Sequence, residues 1–253
     1  MTDQELIALD AKGFVPGPGE DEGAFLERVR RTREGGCEGE VPRGHWEWAR
    51  EQVRELYGFE PEVVRAWYSN RGLRVWEGAA CWIEGGVARL QLREGFRRGR
   101  YWWYRRDEVL AHEAVHAARV MFEGENEEFF AYAVAGKRWR RVLGPVVRRE
   151  WEVWMVMGGL GGGVIWEGAW VGVGVMVGMG LWRLGRQWRR LRRAFEVLRE
   201  RLGERRARCV LFRLTDEEVR QLAKGVWVEG DKTLRWRLIR IGYMMEGLEV
   251  SYG

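Results

Sequence analysis

Residues 151–182 read WEVWMVMGGLGGGVIWEGAWVGVGVMVGMGLW, with Glu152 and Glu167 as the only charges. A run this apolar has the composition of a membrane segment. A single crossing would carry Glu167 near the bilayer centre, where a carboxylate costs roughly 2.5 kcal/mol or more. A helical hairpin, transmembrane or re-entrant, avoids that cost. Its arms would be residues 153–165 and 169–182, with Trp166 and Trp170 at an interface. Both arms fall short of the roughly 20 residues of an ordinary span, which implies bilayer thinning, a re-entrant loop or oligomerisation. Gly158 with Gly162, Gly168 with Gly172 and Gly174 with Gly178 keep small-xxx-small spacing, which permits close helix approach and a homo-oligomer.

The flanks, KRWRRVLGPVVRRE before this run and RLGRQWRRLRR after it, are both basic. Under the positive-inside rule they prefer the same side, so the expectation is an even number of crossings of a bacterial inner membrane, with the soluble portions facing the cytoplasm. The net charge of +5 and pI near 9.3 are thus concentrated where anionic lipid headgroups would lie, and nucleic acid fits this placement less well. The opening MTDQELIALDAKGF lacks a basic start and an apolar run, so it does not read as a secretory signal. Cys37, Cys81 and Cys209 form no CxxC pair, which argues against a disulfide framework and a cysteine zinc site.

The remaining chain alternates helix and strand signals. AFLERVRR and HWEWAREQVRELYG place apolar residues at helical spacing, and Gly58 with Pro61 closes the second helix. Glu84-Gly85-Gly86 separates two strand-like runs as a hairpin, with Ala88, Leu90 and Leu92 alternating against Arg89, Gln91 and Arg93. A helix opening at Asp107 and Glu108 should run to Gly124 or Asn126, with a second helix from about Glu127 completing a helix hairpin. Beyond residue 183 a charged helix precedes an apolar strand, CVLFRL. Thr215 to Glu218 has capping-box spacing, and TLRWRLIRIGY shows partial strand alternation. The expected organisation is an α+β domain over residues 1–145, an anchor over 151–182 and a small C-terminal α/β module over 183–253.

The chemistry is concentrated in LAHEAVHAARVMFEGENEEFFAY, residues 110–132. Residues four apart share a helix face, so His112 and His116 can aim imidazole nitrogens at one ion. Glu113 lies about 100° round from His112, beside a metal-held water and off the metal. A zinc ion with three protein ligands keeps an open position and acidifies its water, and Glu113 is the base placed to take the proton. His45, the third histidine, sits at a helix start and reads as a cap or surface residue.

HEAVH resembles the HExxH motif of zincin metallopeptidases, and the resemblance covers roughly residues 105–135. Arg119 and Phe122 stand where metzincins have Gly and His, so the gluzincin branch is the nearer one. That branch takes its third ligand from a glutamate on the following helix, and EFFAY at Glu128 to Tyr132 is similar to its pattern. Glu127 is the alternative. Glu128 is preferred because Ala131, Tyr132 and Ala135 share its face. The resemblance also implies an edge strand, residues 87–93, that pairs with an extended substrate. Tyr132 could offer an oxyanion hydrogen bond, though a tyrosine beside two phenylalanines more often belongs to the core; Asp107 and Asn126 could orient a histidine.

The expectation is a membrane-anchored zinc peptidase acting on a peptide or protein substrate, with His112, His116 and Glu128 on the metal and Glu113 as base. The competing reading is a non-enzymatic membrane-associated scaffold or lipid-binding protein in which the helix hairpin is structural.

Overall fold

The computed structural model describes residues 1–34, 39–74, 77–122, 124–144, 158, 168–228 and 230–245. The chain opens with α1 (Asp3–Asp10), begun by a capping box in which the Thr2 hydroxyl accepts from Glu5 N and the Glu5 carboxylate accepts from Thr2 N. Helix α2 (Glu22–Glu34) and α3 (Glu47–Tyr57) follow, the latter entered through a 3-10 turn at Arg43–Trp46. Gly58 closes α3 at φ +74, a left-handed conformation suited to glycine, and its N–H returns to Arg54 O.

Three strands make the main sheet: β1 (Arg65–Tyr68), β2 (Ala79–Glu84) and β3 (Val87–Leu92), in the order β1-β3-β2. The Gly85-Gly86 turn joins β2 and β3 antiparallel, with Glu84 opposite Val87, whereas β1 runs parallel to β3. The expected antiparallel sheet is thus mixed. The strand at residues 87–93 is also not an edge, because β1 covers its other side. The outer side of β1 is met by the preceding loop, where Val41 N donates to Ala66 O and Tyr68 N to Gly39 O. Among the described residues the open edge therefore belongs to β2, where Trp82 and Ile83 are exposed.

A short hairpin, β4 (Arg100–Tyr101) and β5 (Tyr104–Arg105), leads into α4 (Arg106–Ala118). At its turn Trp102 has φ +53, a region in which a bulky side chain is strained. Helix α4 ends at Ala118, earlier than the sequence suggests, and α5 (Glu127–Ala133) and then α6 (Arg138–Leu143) follow it.

Residues 169–182, expected as the second arm of a membrane hairpin, instead belong to the start of α7 (Gly168–Leu202), a single 35-residue helix that continues through the basic segment. None of the described helices is long and apolar enough to cross a membrane. The apolar part of α7 spans about 22 Å at 1.5 Å per residue, against a hydrocarbon core of about 30 Å, before Arg183 interrupts it. The hairpin anchor and the inner-membrane location inferred from it are corrected accordingly. The other arm, residues 153–165, lies outside the described residues apart from Gly158.

The C-terminal part is helical where an α/β module was expected. CVLFRL falls largely in α8 (Glu204–Phe212), and the alternating LRWRLI is α10 (Leu234–Ile239), started by the Thr233 hydroxyl and continued by a π turn at Arg240–Met244. Between them α9 (Asp216–Leu222) begins with the capping box at Thr215 and Glu218. These helices share one core with the N-terminal part: Leu6, Phe59, Leu90, Ala114, Leu198, Phe212 and Ile239 belong to the same buried cluster. Arg213, fully buried, crosses that core to make two hydrogen bonds with the Asp10 carboxylate at 2.8 and 2.7 Å.

Candidate metal centre

Helix α4 is enclosed on most sides. Leu110, Ala111, Ala114, Val115, Ala117 and Ala118 are buried, and the small alanines let it pack closely against α3, β3 and α5. His112, Glu113 and His116 occupy its one partly open face. The helix-hairpin turn then brings α5 across that face. His112 Nε2 lies 3.2 Å from His116 Nε2 and 3.9 Å from Glu128 Oε2, and His116 Nε2 lies 3.7 Å from Glu128 Oε1. One ligand atom from each of the three residues falls within 4.8 Å of the others.

The two glutamates that sequence left in competition face different partners. Glu128 closes the group with both histidines. Glu127 turns away to accept from Arg119 Nε at 2.8 Å, and its other oxygen lies 3.7 Å from His116 Nδ1.

Electrostatics distinguish the two imidazoles. Burial, with His116 beside it, lowers the His112 pKa to about 3, although the Ala131 carbonyl opposes the shift as a hydrogen-bond acceptor. His112 is therefore neutral at ordinary pH, the form that a metal ligand requires. Burial also opposes charge on His116, but Glu127, Glu113 and Glu128 outweigh it and raise its pKa. Glu113 has its pKa raised by burial, with Glu128 adding and His116 opposing. That direction suits a carboxylate that must hold a proton during a reaction. Cys81 of β2 stands beside it, and burial together with the Glu113 charge pushes that thiol up to about 12.

Beside the site lies a cavity of about 290 Å³ whose wall includes His112, Glu113, Trp103, Tyr104, Tyr132 and Trp139. The Tyr132 ring packs edge-on to His112 at 4.7 Å, and burial raises its pKa to about 12, so its hydroxyl remains protonated. Gly144 approaches this ring so closely that a Cβ there would sit 2.2 Å from it. Arg140 bonds to Glu108 at 2.6 Å and to Trp103 O at 3.1 Å, joining α6 to the β4–β5 turn across the cavity wall.

Several neighbouring residues do other work. His45 Nδ1 is 2.9 Å from the Tyr68 hydroxyl, outside the group. Asp107 pairs with Arg106, and Asn126 bonds to Asp216 and Gln187, so neither orients a histidine. Sequence reasoning missed Arg119, Gln187 and Asp216, which come from outside the motif or carry no short-range signal of their role. No family model, curated protein or solved structure matches the chain.

Proposed function

We propose that this chain is a zinc-dependent peptidase that hydrolyses peptide bonds. The observation that carries the reading is the convergence of two imidazoles and a carboxylate within 4.8 Å, with Glu113 on the same helix face and at the cavity wall. The donor set fits zinc, which takes nitrogen and oxygen ligands and in catalytic sites commonly has three from the protein. His112, His116 and Glu128 would hold it, and the ion when bound would supply Lewis acidity toward a carbonyl and toward water.

The chain's own groups supply the rest. Glu113 accepts the proton of the attacking water and passes it to the leaving amine. The protonated Tyr132 hydroxyl is a donor on the His112 side of the site. The open edge of β2 offers main-chain groups to an extended peptide, which supports binding with little side-chain selectivity. Selectivity then falls to the cavity, whose aromatic wall suits a bulky apolar side chain.

Purified wild-type protein should contain about one zinc per chain, and His112→Ala should lose most of it, as measured by elemental analysis. Near-zero zinc in both would sink the enzyme reading in favour of a structural helix hairpin. For substrate choice, Trp139→Ala should cut the preference for a bulky over a small apolar residue by about tenfold, with zinc content unchanged. A peptide-library cleavage profile reads this directly, and an unaltered profile would remove the cavity from the specificity argument.

A further inference from the structure

Arg119 is 1 % exposed and lies against the rings of Phe122, Phe130 and Phe212, with its guanidinium carbon 4.3, 4.7 and 5.5 Å from their centroids. A buried guanidinium needs a counter-charge and acceptors for its donors. Glu127 supplies the charge. The acceptors are Phe212 O, at the C-terminal end of α8, and, at 3.3 Å, Leu214 O just beyond it. Helix ends leave carbonyls unbonded and carry partial negative charge, so Arg119 also satisfies the buried end of α8. An unbroken chain of contacts thus runs from α8 through Arg119 and Glu127 to His116 Nδ1.

The turn that delivers α5 is held from the same side. Asp216, at the start of α9, accepts from Glu125 N and from Asn126 Nδ2, while Gln187 of α7 donates to Glu125 O at 2.8 Å. Glu127 and Glu128 follow immediately.

We infer that Arg119 is a positioning residue through which the C-terminal helices set the metal centre. By holding one oxygen of Glu127, it turns the other toward His116 Nδ1 and keeps Glu127 from competing with Glu128 for the ion. A carboxylate on the far nitrogen favours the tautomer with its proton there, leaving Nε2 for the metal. Arg suits the task because its planar fork bonds a carboxylate and two carbonyls at once, which a lysine ammonium cannot reproduce in that geometry. This inference rests on the metal-site reading above.

The test is titration of the full-length protein with Co²⁺ alone, following affinity and the visible ligand-field spectrum. Wild type, Arg119→Lys, Arg119→Met and Glu127→Gln are compared. The three variants should bind about 10–100-fold more weakly than wild type, with altered spectra, because the imidazole and Glu128 are no longer held in register. Glu127→Gln retains an oxygen acceptor for Arg119 and leaves the α8 contacts in place, so it decides the matter if the Arg119 variants fail to fold. Wild-type affinity and spectrum in Glu127→Gln would overturn the positioning role while leaving the metal site standing. Absence of Co²⁺ binding in wild type would overturn both.

Discussion

Glu113→Gln should keep its zinc and its fold while peptide hydrolysis falls by about 10²–10⁴-fold. That loss corresponds to about 2.7–5.5 kcal/mol of transition-state stabilisation. Glutamine retains the size and hydrogen-bonding capacity of the side chain and loses only the oxygen that can hold a proton. Glu113 stands outside the group of three residues that could hold a metal ion, so binding and chemistry should separate in this variant. Matched zinc analysis and single-turnover cleavage of the same preparation measure the two quantities. Cleavage at the wild-type rate would show that the base lies elsewhere; loss of zinc together with activity would make Glu113 a ligand or a structural residue.

The second large effect concerns stability. Besides its two bonds to Asp10, Arg213 donates to Tyr57 O at 3.1 Å and Cys209 O at 2.8 Å, and the Tyr243 hydroxyl donates to Asp10 at 2.5 Å. Arg213→Met should cost about 3–5 kcal/mol, because it leaves the Asp10 carboxylate buried without its counter-charge. Adding Asp10→Leu removes the stranded charge and should recover much of the loss. Denaturant midpoints of the two single variants and the double variant measure this. A double variant no more stable than Arg213→Met would mean that the carbonyl bonds, rather than the ion pair, carry the effect.

The grouping of His112, His116 and Glu128 was legible because its information is local. His112, Glu113 and His116 are related by helical period alone, and Glu128 differs from Glu127 in sharing its face with Tyr132 and Ala135 rather than with Phe130 and Val134. The β2–β3 hairpin was also legible, since two glycines at a two-residue turn leave few other geometries. The C-terminal fold was not. Cys209, Val210, Leu211 and Phe212 are all buried, and a continuous apolar run has no period to distinguish a buried helix from a strand. In α10 the alternation misled because Arg235, polar by composition, is buried against Glu218. The capping box at Thr2 and Glu5 has the same spacing as that at Thr215 and Glu218, so the start of α1 is as readable from sequence as the start of α9. The apolar run misled differently: its composition resembles a bilayer segment, yet the described part is the start of a longer rod whose basic half packs Leu184, Leu191, Ala194 and Leu198 into the core.

The long reach of Arg119 and of the α4–α5 turn also has a consequence in time. Arg119 waits for Phe212, 93 residues later, and Glu125 for Asp216, 91 residues later. At synthesis rates of roughly 5–20 residues per second, helix α4 precedes these partners out of the ribosome by about 5–20 s. Residues 1–211 hold His112, Glu113, His116 and Glu128 but neither Phe212 nor Asp216. The nascent chain therefore carries the His112–His116 motif for seconds before it carries Phe212 and Asp216, the partners that hold Arg119 and the α4–α5 turn.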